Sequence, residues 1–424
     1  MQIIENSKIK EKLYIEKLNN DLTIMIMPKK TRKKYIAWST NYGSIDNKFY
    51  SRDGKYHEVP DGIAHYLEHK LFEQENGRNS LDVLTSLGVD ANAYTTNDHT
   101  AYLYECTDNF FEALDEFMNY VQNPYFTDEN VEKERGIIEQ EIMMYDDYPE
   151  WSVYMNAMKA MYKNNEINID VAGTKESIAK ITPDKLYEIY DSFYYPSNMV
   201  LVLVGDINPK EILEDIKNRM ILKYKNPTKR IYDEEPQEIV TKYIEKEMNI
   251  SMPIVLVGYK DNDLTSNKIK KDIAVDILSV LLLGKSSEFF ENLYESGKIL
   301  AEPSANYEFS KRYAHVLIQV QTNYIEEFLK EMDTQIKNIK ENGIKLEDFE
   351  RAKKRVYGDF IKEYNDVSDI ATNLISDYFK DINTFEYLEE FTSMNKEYVE
   401  KVLEEVFVEN RKVVSVIKPF TKKD

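Results

Sequence analysis

The chain is predicted to be an α+β protein made of two homologous sandwich domains, each a mixed, largely antiparallel sheet packed with helices. Three observations carry this expectation. One grammar runs through the sequence twice: opening strands, helices, a β-hairpin, more helices and a last strand. A chain of 424 residues with 42% hydrophobic content is long enough to bury two sizeable cores. Between the copies lies 225–237, KNPTKRIYDEEPQ, with two prolines and dense charge. The expected division is a first domain over 1–225, a linker over 226–239 and a second domain over 240–424.

Each element has a local reason. Residues 22–27 and 36–40 open the first copy as strands, and 240–246 with 254–259 open the second, all rich in β-branched and aromatic residues. The segment GIAHYLEHKLFE reads as a helix, with no Pro or Gly after Gly62 and an apolar run through Ile63, Leu67 and Leu71. Residues 109–141 and 324–364 each read helix, short loop, helix. The hairpin of the second copy is expected at 305–309 with 313–321. Residues 182–205, TPDKLYEIYDSFYYPSNMVLVLVG, give a helix and then a strand, and 395–418 repeat that order.

The most informative stretch is His65-Tyr66-Leu67-Glu68-His69. On a helix, residues four apart lie on one face, so both imidazoles can reach one metal ion. Glu68 is placed near that face to act on water rather than to hold the metal. The spacing H-x-x-E-H is the inverted form of the zinc-hydrolase motif. The bland alternative is a helix carrying two surface histidines. A catalytic zinc usually has three protein ligands, the third often a carboxylate from elsewhere. The best donor is the helix at 129–142, with an N-cap at Thr127-Asp128. Its Glu134 and Glu141 lie two turns apart, with Ile138 between them and Ile137 and Ile142 flanking. Periodicity alone does not separate a ligand from an ordinary acid on an acidic helix.

Several segments, in order, resemble the pitrilysin/insulinase peptidases, a family that includes the mitochondrial processing peptidase and half-length bacterial members. They are the HYLEH pentad; GVDANAYT at 88–95, similar to a G-x-x-x-N-A-x-T strand; ERGIIEQEI at 134–142, similar to E-R-x-V-I-x-x-E-I; and FYYPSNM at 193–199, running into a strand. The match is close over the N-terminal half and looser beyond. It implies that His65, His69 and Glu141 bind one Zn²⁺, that Glu68 is the general base, and that Glu134 supports the site from behind the ligands. It implies that Asn92, Ala93, Tyr94 and Thr95 pair with substrate backbone. It also implies a clamshell of two domains and a metalloendopeptidase that cleaves peptides or unfolded segments with metal-activated water. The alternative, from another class, is a non-catalytic scaffold or processing-partner subunit of a heteromeric complex.

The second copy lacks the pentad. Its counterpart is expected at 284–297, GKSSEFFENLYESG, which has no histidine. Active relatives often carry an Arg, then a Tyr seven residues later, in the second domain; Tyr294 and Ala301 stand at those positions here. Tyr307, Arg312 and Tyr313 are candidate substitutes. A dimer is therefore expected, with a half-length paralogue supplying the Arg/Tyr pair placed ahead of a homodimer, and a monomer third.

The remaining features are bounds. A net charge of −21 argues against nucleic acid as partner. The single cysteine, Cys106, rules out an intrachain disulfide, suits a reducing compartment and reads as a buried strand residue. The mixed-charge N-terminus lacks the apolar core of a signal peptide. The longest apolar run, 273–283, is interrupted by Asp276 and too short for a bilayer. A cytoplasmic location is expected, without membrane partners. His57 in a charged loop, His99 in a turn and His315 in a strand read as structural or exposed.

Overall fold

The computed structural model describes residues 1–420. In chain order the strands and helices of the first half are β1 (Gln2–Asn6), β2 (Glu11–Lys17), β3 (Thr23–Pro28), β4 (Lys34–Thr40), β5 (Lys48–Tyr50), β6 (Tyr56–Glu58), α1 (Ile63–Leu71), α2 (Ser80–Ser86), β7 (Asp90–Thr95), β8 (Thr100–Cys106), α3 (Phe110–Gln122), α4 (Asp128–Asp146), α5 (Pro149–Met161), α6 (Lys175–Ile178), α7 (Pro183–Phe193), β9 (Met199–Gly205) and α8 (Pro209–Arg219). After β10 (Lys229–Arg230) come β11 (Tyr243–Met248), β12 (Ile254–Lys260), α9 (Lys268–Leu283), α10 (Glu288–Glu295), β13 (Ser304–Phe309), β14 (Ala314–Gln321), α11 (Ile325–Asn342), α12 (Leu346–Glu363), α13 (Val367–Phe379), α14 (Glu386–Ser393), α15 (Lys396–Val406) and β15 (Lys412–Pro419).

The repeat is visible in the strand order. The sheet of the first unit runs β1-β2-β3-β9-β4-β8-β7, and that of the second runs β11-β15-β12-β14-β13. In the first, β3 and β9 pair in parallel, in the second β11 and β15 do, and the other pairs are antiparallel. The central strands β9 and β12 are buried at every position. Their runs MVLVLVG and IVLVGY are apolar without alternation because both faces of the sheet are covered. In the first unit, Ile36, Trp38, Leu201 and Leu203 share a core with Leu67 and Leu71 of α1 and with Leu114 and Phe117 of α3.

The compact units do not follow a single cut of the chain. One comprises Met1–Ile142, Ile169–Tyr232 and Ile361–Thr384; the other comprises Met143–Asn168, Asp233–Phe360 and Phe385 onward. The expected domains 1–225 and 240–424 are corrected at two segments. Helix α13 packs on β4 and β9 of the first unit, burying Ile370, Ala371, Leu374 and Ile375. Helix α5 packs on β11, β12 and β15 of the second. Val153, Ala157, Met158 and Met161 of α5 join Leu256, Val413 and Ile417 in one core. The cause is the second face of each sheet, which must be covered by something apolar. The expected linker at 226–239 is also more than a spacer. β10 pairs with β5, and the Glu235 carboxylate accepts the backbone N–H groups of Lys163, Asn164 and Asn165.

Element order corrects a second expectation. The counterpart of α1 is α9, which follows the second strand of its copy, and 284–297 falls on α10, the counterpart of α2. The inference survives, because α9 (KIKKDIAVDILSVLLL) has no histidine either. His57 is not in a loop: it lies in β6, bonded to Ser51 and paired with Glu188. Cys106 is buried in β8, and burial pushes its thiol up to about 11. Among the described residues, no helix is long and apolar enough to cross a membrane.

Candidate metal centre

Helix α1 starts at Gly62, whose φ of 88° lies in the left-handed region. A Cβ there would stand 2.4 Å from the carbonyl oxygen of Ala172, so only glycine fits. Beneath the helix, Ile63, Leu67 and Leu71 are fully buried, which turns His65 and His69 to the opposite side. Their Nε2 atoms lie 3.2 Å apart.

Helix α4 supplies the acids. Its start is fixed reciprocally: Thr127 Oγ1 accepts the N–H of Asn130, and Asn130 Oδ1 accepts the N–H of Thr127. Val131 and Ile138 bury the inner face, and the Tyr66 hydroxyl donates to the Val131 carbonyl, tying α4 to α1. Glu141 then places Oε1 3.6 Å from His65 Nε2 and Oε2 3.4 Å from His69 Nε2. One ligand atom from each of the three residues fits within 4.8 Å of the others.

The donor set fits a zinc ion. Tetrahedral bonds of about 2.05 Å require donor atoms ~3.3 Å apart; the two Nε2 atoms stand 3.2 Å apart, and Glu141 meets them through different oxygens, Oε2 at 3.4 Å from His69 and Oε1 at 3.6 Å from His65. Burial, with His69 alongside, pushes His65 down to about 3, so its imidazole is neutral. Burial works against charge on His69, but the Glu134 hydrogen bond and the charges of Glu68, Glu134 and Glu141 outweigh it and raise its pKa. The acids around His69 thus favour positive charge at that ring.

Glu134 stands in a different place from Glu141. Its Oε1 lies 3.0 Å from His69 Nδ1. An ionised carboxylate only accepts, so Nδ1 is the donor, and in the neutral ring Nε2 keeps its lone pair for the site. Burial alone would raise Glu134, yet His69 and Lys70 hold it below the ordinary carboxylate range. Lys70 Nζ is wholly buried, 3.4 Å from Glu134 Oε2 and 2.7 Å from Glu73 Oε2. Glu141 shifts the other way: burial raises it, with Asp170 and Glu134 adding and His69 opposing.

Glu68 is 7% exposed. Burial pushes its carboxyl up to about 7, against the Thr95 hydroxyl, which donates to Oε2 at 2.6 Å. Asn92, Ala93, Tyr94 and Thr95 all lie on β7, the edge strand of the sheet. Tyr94 turns toward His99, its ring 5.6 Å from the imidazole. His99 is buried against Phe379. One residue escapes the sequence: Lys70 reads as an ordinary surface lysine. Thr95 is expected to pair with substrate backbone, but nothing in the sequence marks its bond to Glu68.

Two family descriptions match the chain. "Insulinase (Peptidase family M16)" covers residues 52–175, and "Peptidase M16 inactive domain" covers residues 180–356. The chain belongs to peptidase family M16. It is 36% identical to the Bacillus subtilis (strain 168) protein named "Uncharacterized zinc protease YmfH", over 98% of this chain and 99% of that one. A putative M16-like peptidase from Alicyclobacillus acidocaldarius superposes with a TM-score of 0.92 at 33% identity, over 98% of this chain and 99% of the other. A protease from Helicobacter pylori shares the fold with a TM-score of 0.83 at 21% identity, over 96% and 100% of the two chains. The chain is thus a half-length M16 member whose relatives are named zinc proteases.

Proposed function

We propose that this M16 chain is a zinc metalloendopeptidase acting on peptides or unfolded segments. The observation that carries this reading is the convergence of His65, His69 and Glu141 within 4.8 Å, with Glu68 buried beside them. His65 Nε2, His69 Nε2 and the Glu141 carboxylate would hold the ion. Zinc, when bound, supplies Lewis-acid polarisation of a carbonyl and makes water a stronger nucleophile near neutral pH.

The protein's own groups do the rest. Glu68 Oε1 takes the proton of the attacking water and returns it to the leaving amine nitrogen. A carboxyl whose pKa lies near 7 is suited to both transfers. Glu134 holds His69 in the tautomer that presents Nε2. The edge strand β7 offers backbone groups not used by β8, to which an extended peptide adds as a further strand.

The second unit bears on partners. Tyr294 is exposed, whereas Tyr307 and Tyr313 are buried, Tyr307 donating to Asp261 and Tyr313 stacking on His315. This favours an Arg/Tyr pair from a half-length partner chain, and sedimentation of the chain with that partner tests it. The single thiol favours a reducing, cytoplasmic setting, which cell fractionation checks.

The deciding experiment is Glu68→Gln. It should bind zinc as the parent does and lose peptide turnover by at least ~100-fold, while His65→Ala should lose both zinc and turnover. An E68Q protein that cleaves at the parent rate refutes the assignment.

A further inference from the structure

We propose that Thr95 is a positioning residue for Glu68: its hydroxyl pins one carboxylate oxygen and leaves the other to accept the proton. This rests on the hydrolytic reading above and changes the role of Thr95 from substrate contact to orientation of the base.

The geometry is specific. Thr95 has one hydroxyl hydrogen, and Glu68 Oε2 is its nearest acceptor at 2.6 Å. The other neighbour, Thr100 Oγ1, is 3.3 Å away and spends its own hydrogen on the Tyr42 carbonyl at 3.0 Å. Thr100 is fully buried, so the Thr95 oxygen sits against a fixed group. Thr95 is β-branched and lies on a strand, where χ1 is stiff, so the hydroxyl is aimed before substrate arrives. A charge-assisted O–H···O bond of this length is among the strong ones. It occupies Oε2, which leaves Oε1 as the proton-accepting atom. Alternation along β7 puts Thr95 and Ala93 on the face toward α1, and Asn92 and Tyr94 on the other. Thr95 can therefore serve Glu68 with its side chain while its backbone belongs to the strand edge.

The experiment compares Thr95→Val, which keeps the shape and removes the hydroxyl, with Thr95→Ser, which keeps the hydroxyl. Crystal structures of the zinc-loaded proteins and steady-state peptide kinetics are the two readouts, with E68Q as the blank. T95V should bind zinc stoichiometrically and show the Glu68 carboxylate rotated or in several positions. Its kcat should fall ~10- to 100-fold with KM within about twofold, the scale of a mispositioned catalytic group. T95S should restore both the carboxylate position and kcat. A Glu68 side chain unmoved in crystals of T95V overturns the proposal, and so does a raised KM with unchanged kcat. The crystallographic comparison decides even without turnover. E68Q turning over like the parent sinks the hydrolytic reading itself, an outcome separable from any result at Thr95.

Discussion

Replacing His99 by Gln should remove one of two histidine contributions to the acid sensitivity of the first unit, the other being that of His65. The imidazole is buried between Tyr94 and Phe379, its Nδ1 lies 3.1 Å from Thr96 Oγ1, and among the described residues its Nε2 has no hydrogen-bond partner. Burial, with the Lys380 charge adding, lowers its pKa from 6.5 to about 4. Protonation is thus easier in the unfolded chain, which binds more protons than the folded one below pH 6.5. Stability falls as pH drops through the window from 6.5 to 4. The interval is about 2.5 pH units at about 1.4 kcal/mol each, or roughly 3.4 kcal/mol in full and about 2.5 kcal/mol by pH 4.5. Urea unfolding of the metal-free protein reads this out. Trp38 is buried in the first unit and Trp151 belongs to the second, so a Trp151→Phe background leaves Trp38 as the reporter. H99Q should be the less stable protein at pH 7.5, through lost ring packing. The gap should then close or invert by pH 4.5. Parallel loss of stability in the two proteins from pH 7 to 4.5 would refute the buried, neutral imidazole.

Three further predictions probe other parts of the structure. Glu141→Gln should weaken zinc affinity far more than Glu139→Gln, measured by competition with a chromophoric chelator; equal effects would undo the choice of third ligand. Glu134→Ala should cost ~10- to 100-fold in zinc affinity through the orientation of His69, and an unchanged affinity would remove its supporting role. Leu374→Ala on α13 should destabilise the first unit by about 2–5 kcal/mol, as for other buried leucines. A Trp38 unfolding transition left in place by that change would mean that α13 contributes little to the sheet it covers.

What the sequence makes legible is what depends on neighbours along the chain. His65, Glu68 and His69 sit within five residues, so helical periodicity alone puts them on adjoining faces. The α3/α4 and α11/α12 pairs and the closing helix–strand units are equally local, and so is their repetition. The reassignment of α5 and α13 is not. An apolar stripe such as Ala157, Met158 and Met161 says that a helix covers something, not which sheet it covers. At Gly258 the close approach of Met161 supplies the answer: a Cβ there would meet its Cε at 3.0 Å. Lys70 is hidden for a similar reason. Its burial depends on Glu73 and on Glu134, 64 residues away, and no local pattern distinguishes it from the many lysines on the surface.

The two acids of α4 show how placement, more than residue type, assigns chemistry. Glu134 and Glu141 have the same side chain and stand two turns apart on one helix. Glu134 meets the back of the His69 ring and the Lys70 ammonium, and it is held ionised by both. Glu141 reaches the Nε2 side of both rings; burial raises its pKa, with Asp170 and Glu134 adding and His69 opposing. A carboxylate that burial leaves short of counter-charge favours a cation between itself and the rings. An anion already matched by a lysine and an imidazole N–H has little left to offer one. On the proposed reading, the ligand and the supporting acid are separated by their counter-charges. Exchanging those counter-charges, rather than the acids, would blur the two roles.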